Sequence, residues 1–242
     1  MILKFKHLKY FMEDTPPMDV MNNVFGFDKM SKLKKILNFK KILNSIAELS
    51  KELSYVDFTK IRYTEYEDIV LPTKIDYISY QARLEIEQLF TILDKDNTKF
   101  IEVASTIIAI SCYHIKYNKP YKDDSKLQQL RDDILNYPHT PMLGLYNTIK
   151  DGIVESNETW NNDFTKVNNL DPDFISAGGH MLDRFSTVGV IEFVCDRFNV
   201  SYHEAWNISY LAVQTSLLRQ STQDFIQNKM TKIKERRMKS IK

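Results

Sequence analysis

The segment DKDNTKFIEVAS carries side chains that could bind a metal ion. Asp94, Asp96 and Thr98 have the spacing of the first three ligands of an EF-hand calcium loop. Such a loop also needs a glycine at its sixth position, for the sharp turn, and a bidentate glutamate at its twelfth. Lys99 and Ser105 occupy those positions. We therefore expect a polar connection between two helices here, without a metal.

The histidines and cysteines do not form a catalytic or metal-binding pattern. No two of the five histidines stand three or four residues apart, so no helix face presents two imidazoles to zinc. Cys112 and Cys195 form no C-x-x-C pair, and the expected role of each is burial as a small apolar side chain. The sequence also lacks a G-x-S-x-G elbow and a phosphate-binding glycine loop. We therefore expect a non-enzymatic protein without a cofactor.

The segment CDRFNVSYHEAW predicts a tight corner between two helices. Asn199 tolerates the left-handed conformation that ends a helix, and Ser201 with Glu204 forms an S-x-x-E capping box that begins one. This is also the outline of a DNA-binding helix-turn-helix. However, the second helix offers no Arg, Lys or Gln to a base edge, and the first is acidic at Glu192 and Asp196. The residues of the corner therefore favour a structural joint over a DNA reader.

Positive charge is concentrated at the C-terminus. Residues 229–242 contain seven Lys or Arg and one Glu, a net charge of +6, which leaves −5 on the rest of the chain. A second basic stretch, residues 29–53, places lysines between apolar residues at helical spacing. Each stretch is either a solvated surface or a contact for phosphates or an acidic partner. The candidate contact residues in the tail are Lys232, Lys234, Arg236, Arg237 and Lys239.

The elements that carry these residues are predicted to be mainly helical. Glycine and proline are scarce, with 6 and 7 residues in 242. We expect a mainly α fold: a multi-helix bundle with one or two short extended segments near 56–71, and a C-terminal helix–corner–helix followed by a long helix. The helices are predicted at about 28–53, 75–93, 98–117, 125–136, 142–164 and 180–198, before the short and long C-terminal helices.

Turn-forming residues divide the chain into four predicted parts. NNLDPDF and SAGG indicate a linker or hinge. No apolar run approaches the roughly 18 residues of a membrane-spanning helix, and the N-terminus does not read as a secretion signal, so we expect no membrane partner. The parts are an irregular N-terminal arm (1–28), a helical body (29–165), the linker (166–180) and a C-terminal helical module with the basic tail (181–242).

The C-terminal module resembles a known class of protein. A helix ending in F-N-V-S, followed by E-A-W-x-I-x-Y and a long polar helix, resembles small helical modules of tailed-bacteriophage tail-assembly and virion proteins. The resemblance lies within residues 186–242, and the segment Leu71–Phe90 also resembles helical tail-assembly chaperones. The residues that carry the C-terminal match are Phe198, Val200, Ser201, Glu204, Ala205, Trp206, Ile208 and Tyr210.

The resemblance implies a structural or assembly protein, of the head–tail connector or tail-assembly chaperone type. Its expected partners are other virion proteins and further copies of itself, in the virion or in the cytoplasm of the infected bacterium during assembly. Tyr202, Trp206 and Tyr210 are candidate anchors, because Trp and Tyr dominate interface hot spots; core packing is the alternative for each. The tail would contact an acidic neighbour or packaged DNA. The alternative function is nucleic-acid binding through the tail and the helix over 29–53.

Overall fold

The structure, a computed structural model, describes residues 4–12, 16–55, 57–167 and 186–240. In these ranges the chain is mainly α-helical, which confirms the predicted fold class. Single 3₁₀ turns lie at Phe5–His7, Phe27–Lys29, Phe58–Lys60, Ile75–Tyr77 and Asn97–Lys99. The α-helices are α1 (Lys9–Met12), α2 (Pro17–Phe25), α3 (Lys32–Tyr55), α4 (Tyr80–Lys95), α5 (Phe100–Tyr117), α6 (Ser125–Asn136), α7 (His139–Val167), α8 (Ser186–Phe198), α9 (Tyr202–Ala205) and α10 (Tyr210–Ser240).

The predicted helices agree with the structure apart from their ends. α6 begins and ends at the predicted residues. α4 begins later than predicted because a 3₁₀ turn precedes it, and α7 extends further at both ends. The predicted start of α8, near residue 180, lies outside the described residues.

The N-terminal segment is more helical than predicted. Residues 1–28 were expected to be irregular, but α1 and α2 lie within them. α2 begins at Pro17, where the missing N–H removes no helical hydrogen bond. It ends at Gly26, which has the left-handed φ of 64° that glycine adopts without strain. The proline and the glycine therefore mark the two ends of a short helix.

The extended segment predicted near 56–71 is a short antiparallel hairpin. β1 (Glu65–Tyr66) pairs with β2 (Ile69–Val70), and Tyr66 lies opposite Ile69. Glu67 lies in the turn between them with a φ of 52°. Ile69 is completely buried, so the hairpin presents one residue to the core.

The chain forms two compact units. Unit 1 contains residues 1–72 and 86–150, and unit 2 contains residues 73–85 and 151–242. The C-terminal unit is thus larger than the predicted module, because residues 73–85 and 151–167 belong to it. Residues 168–180 of the predicted linker lie outside the described residues.

Unit 1 has an aliphatic core around α5. This helix is apolar on almost every side and packs against α6, β2 and the 3₁₀ turn at Phe5–His7. Ile107, Ile108 and Cys112 have no exposed surface. Burial raises the pKa of the Cys112 thiol to about 12, and the thiol points to the carbonyl oxygen of Ile108 at 3.1 Å. Cys112 is therefore a core side chain, as predicted.

Candidate protein-interaction surface

The corner between α8 and α9 has the predicted conformation. Asn199 ends α8 with a left-handed φ of 51°. The Glu204 N–H donates to the Ser201 hydroxyl at 3.3 Å, and the Ser201 N–H donates to the Glu204 carboxylate at 3.0 Å. The Ser201 hydroxyl also donates to that carboxylate at 2.7 Å, which holds the pKa of Glu204 below its ordinary value. Hydrogen bonds within six residues thus fix the direction in which the chain leaves α8.

Backbone hydrogen bonds join this corner to the segment before α4. The Tyr80 N–H donates to the Ile208 carbonyl at 2.8 Å, and the Tyr210 N–H donates to the Ile78 carbonyl at 2.9 Å. The residues between these pairs form an isolated antiparallel bridge. The two segments lie far apart in the sequence, so local spacing gives no signal for their pairing.

The bridge joins Ser79 and Ser209, and both serines cap a helix. The Ser79 hydroxyl accepts a hydrogen bond from the Ala82 N–H at 3.2 Å, and the Ser209 hydroxyl accepts one from the Ala212 N–H at 3.3 Å. Each bond satisfies a backbone donor in the first turn of α4 or α10. Ser209 is therefore the N-cap of the long helix α10.

The three predicted aromatic anchors have different environments. Tyr202 is 52% exposed, Trp206 is half-buried and Tyr210 is only 7% exposed. The Tyr210 ring stacks on Tyr80 with centroids 6.0 Å apart, and Trp206 lies beside Tyr80 and Tyr202. Of the two alternatives for Tyr210, the structure has core packing, because its ring belongs to the core of unit 2. Tyr202, with Trp206 behind it, keeps surface that a partner could contact.

Arg83 is a buried charge beside the corner. Its side chain has no exposed surface, and its guanidinium carbon lies 4.8 Å from the centre of the Tyr210 ring. One guanidinium nitrogen donates to the Asn157 side-chain oxygen at 2.6 Å, and the other lies 3.9 Å from Asp76. Because a buried cation is costly unless it is paired, these contacts make Arg83 a fixed point of unit 2.

Asp76 connects this arginine to α7. Its carboxylate accepts hydrogen bonds from the Ser156 hydroxyl at 2.6 Å and from the Trp160 indole N–H at 3.1 Å. Neither Asp76 nor Arg83 was predicted from the sequence as a key residue. One signal was present for Arg83: it stands three residues before Ile86, on the face of α4 that is otherwise apolar.

The apolar core of unit 2 places α8 with one side inward. Ile191 and Val194 have no exposed surface, whereas Val188 is 43% exposed and Glu192 and Asp196 lie on the surface. The core cluster consists of Tyr80, Ile191, Val194, Ala205, Tyr210 and Val213.

The distal part of α10 lies outside this core. Every side chain from Ile226 to Met238 is exposed. The Lys229 ammonium lies 4.3 Å from the centre of the Phe225 ring. Four of the five candidate tail residues, Lys232, Lys234, Arg236 and Arg237, are exposed on this helix, and the side chain of Lys239 lies outside the described residues.

No known relative helps to interpret this arrangement. The chain matches no family model, no curated protein and no solved structure. Within the described ranges, no helix is long and apolar enough to span a membrane, and no group of His, Cys, Asp or Glu side chains could hold a metal ion.

Unit 1 also contains a cleft that the sequence did not indicate. Its volume is about 500 Å³, and aromatic rings of Phe58, Phe90, Phe100 and Tyr146 form much of its wall. The Asn147 amide donates to the Phe58 carbonyl at 2.6 Å and ties the wall to α7. The polar side chains in the lining are Thr59, Asp94, Asn147 and Lys150.

The lysine-rich helix α3 has a solvated basic side. Lys40 and Lys41 are exposed, while Ile42 is buried against Met21 and Phe27. The apolar side of α3 therefore packs within the N-terminal helices. Lys40 and Lys41 are thus on the side of α3 that faces solvent.

Proposed function

We propose that this protein is a non-enzymatic structural or assembly component of a tailed bacteriophage, which works by docking onto other protein chains. The observation that supports this most is the construction of unit 2. A corner fixed by hydrogen bonds carries an exposed aromatic residue, Tyr202, and leads into a long helix whose last part is exposed and basic. The residues of this corner are those that carry the sequence resemblance to virion and tail-assembly modules.

A fixed corner has a physical advantage for docking. Binding immobilises side chains and backbone at a cost in entropy, and a surface that is already ordered loses less on association. The capping box and the Tyr80–Tyr210 stack order the base of α10 before any partner arrives. Partners in the infected cell would be other virion proteins and further copies of the chain.

Purified particles and assembly intermediates from infected cells provide the test. Mass spectrometry and immunoblotting should detect the protein in mature particles or in intermediates, with a fixed copy number. Tyr202→Ala should reduce its incorporation, while Tyr63→Ala, which changes an exposed tyrosine of unit 1, should not. Absence of the protein from both particles and intermediates would contradict the proposal.

Nucleic-acid binding is the second candidate, and the exposed Lys and Arg side chains of α10 favour it. Contacts to phosphates release counterions, so the affinity for duplex DNA should fall steeply with salt concentration. Removal of residues 229–242 should abolish most of that affinity, and filter binding or fluorescence anisotropy would measure it. Unchanged DNA retention by the truncated protein would rule out this function for the tail.

A further inference from the structure

The apolar side of α10 changes along its length. Val213 and Leu217 pack in the core of unit 2. Ile226 follows Leu217 by nine residues, which is two and a half helical turns, so it lies on the opposite side of the helix. Ile226, Met230 and Ile233 are spaced by four and three residues and form one stripe there, each about half exposed. The distal part of α10 thus has its own apolar stripe, outside the core.

Basic side chains flank this stripe. Lys229, Lys232 and Arg236 follow one edge and Lys234 lies on the other, while Glu235 lies on the far side of the helix. Arg237 ends the stripe on its C-terminal side. Lys232 and Arg236 form no ion pair with any described residue. The occupant of the stripe therefore has to combine apolar or small residues with negative charge.

The distal parts of α10 from two copies are not suited to pair with each other. Three apolar positions extend over less than two heptads, which is too short for a symmetric coiled coil. Pairing the distal helices of two copies would also bring their lysines together, which is unfavourable.

The outward side of α8 combines apolar or small residues with negative charge, as the occupant of the stripe must. Val188, Glu192 and Asp196 are spaced by four residues and lie in a row, and all three are exposed. Gly189 is exposed beside them, and a Cβ built on it would meet no atom within 4 Å, so another helix can approach closely. Glu192 and Asp196 form no ion pair within the described part of the chain. Their spacing equals that of Lys232 and Arg236.

We infer that the distal part of α10 in one copy docks on the outward side of α8 in a second copy. Ile226, Met230 and Ile233 would then lie against Val188 and Gly189, with the basic edge along Glu192 and Asp196. The inference rests on the proposed docking function and names the chain itself as one partner. Because the two surfaces differ, each copy donates one and accepts through the other, and repeated docking builds a closed dimer or ring, or a filament where the rotation between copies does not close.

Charge exchange on the full-length chain tests this inference. Light scattering and sedimentation over a concentration series should show an oligomer of the wild-type chain that dissociates at high salt. The pair Glu192→Lys with Asp196→Lys, and the pair Lys232→Glu with Arg236→Glu, should each weaken association by about tenfold or more, because attraction becomes repulsion. The four changes combined should restore association. All four positions are exposed, so circular dichroism should show unchanged folding.

A matched control distinguishes this interface from general charge effects. Asp151 and Glu155 on α7 are also exposed acids four residues apart in unit 2. Asp151→Lys with Glu155→Lys should leave the oligomer intact. Hydrogen exchange of the wild-type chain gives a measurement without variants: amides of residues 226–238 should become more protected as the protein concentration rises.

Several outcomes would overturn the inference. These are a wild-type chain that is monomeric at every concentration, oligomers that ignore the α8 and α10 changes, no recovery in the combined variant, and a control as damaging as the α8 pair. Association seen only after adding duplex DNA or anionic lipid vesicles would also overturn it. A monomeric protein that still enters particles would contradict this inference and leave the proposed function standing. An oligomer that is absent from particles would contradict the proposed function and leave the self-association standing.

Discussion

The cores of the two units are built in different ways. Unit 1 buries an aliphatic helix, α5, on almost all sides. Unit 2 has a smaller apolar core supported by directional contacts: stacked tyrosines, a buried arginine and a carboxylate that receives two hydrogen bonds. Unit 1 is thus stabilised mainly by apolar burial, whereas the directional contacts of unit 2 also fix the orientation of its exposed helices α8 and α10.

The largest loss of stability is expected from a change of Tyr210, which contacts both Tyr80 and Arg83. Tyr210→Ala removes the stack on Tyr80 and the ring beside Arg83, and should lower the free energy of unfolding by about 3 kcal/mol. Both tryptophans of the chain, Trp160 and Trp206, belong to unit 2, so tryptophan fluorescence during urea unfolding measures this loss. Tyr202→Ala is the matched control and should change stability by less than about 0.5 kcal/mol. Equal losses of stability in the two variants would show that the contacts of Tyr210 do not stabilise unit 2.

Alkaline pH should act on the core of unit 1 through Cys112. Burial raises the pKa of this thiol to about 12, while the thiol of the unfolded chain ionises near its ordinary value of about 9. The contribution of the neutral Cys112 thiol to the free energy of unfolding is therefore fully present below a pH of about 9. Between that pH and about 12 the free energy of unfolding falls by about 1.4 kcal/mol per pH unit, because the thiol ionises only in the unfolded chain. Urea unfolding followed by circular dichroism should show a shallower pH slope for Cys112→Ala. Ser111→Ala, which removes a buried hydroxyl from the same helix, should keep the wild-type slope, because a serine does not ionise in this pH range.

The capping box at the corner should contribute less to the free energy of unfolding than the core contacts of either unit. Ser201→Ala leaves the Glu204 N–H without its cap and should reduce stability by about 1 kcal/mol. Thr231→Ala is a useful comparison, because this exposed hydroxyl only donates to a carbonyl within α10 and should matter by less than about 0.5 kcal/mol. If the two variants behaved alike under thermal unfolding, the corner would not be a fixed joint.

The smallest effect on stability is expected at the basic tail. A chain that ends at residue 228 should unfold at the same urea concentration as the full chain, because the side chains it lacks include no core residue within the described range. The same truncation should abolish the concentration-dependent association described above. A clear loss of stability in dilute solution would show that the tail serves the fold of its own chain.

The features that the sequence predicted well have local causes. The corner was predictable because Asn199, Ser201 and Glu204 lie within six residues and each acts on the backbone beside it. α2 was missed because Pro17 reads as a breaker unless it is recognised as a first helical residue. The pairing of Tyr80 with Ile208 and the burial of Arg83 depend on partners distant in the sequence, where neither periodicity nor capping gives a signal.

The membership of residues 73–85 in unit 2 has a consequence for synthesis. Every segment of unit 1 has been translated once residue 150 is made. Tyr80 and Arg83 are made early, but Tyr210, which both contact, is made more than a hundred residues later. Because domains fold as their parts emerge from the ribosome, unit 2 closes after unit 1. Until then the apolar side chains of residues 73–85 lack their partners in the core of unit 2. The α8 and α10 surfaces that we propose for docking thus rest on a core that is complete only after Tyr210 has been made.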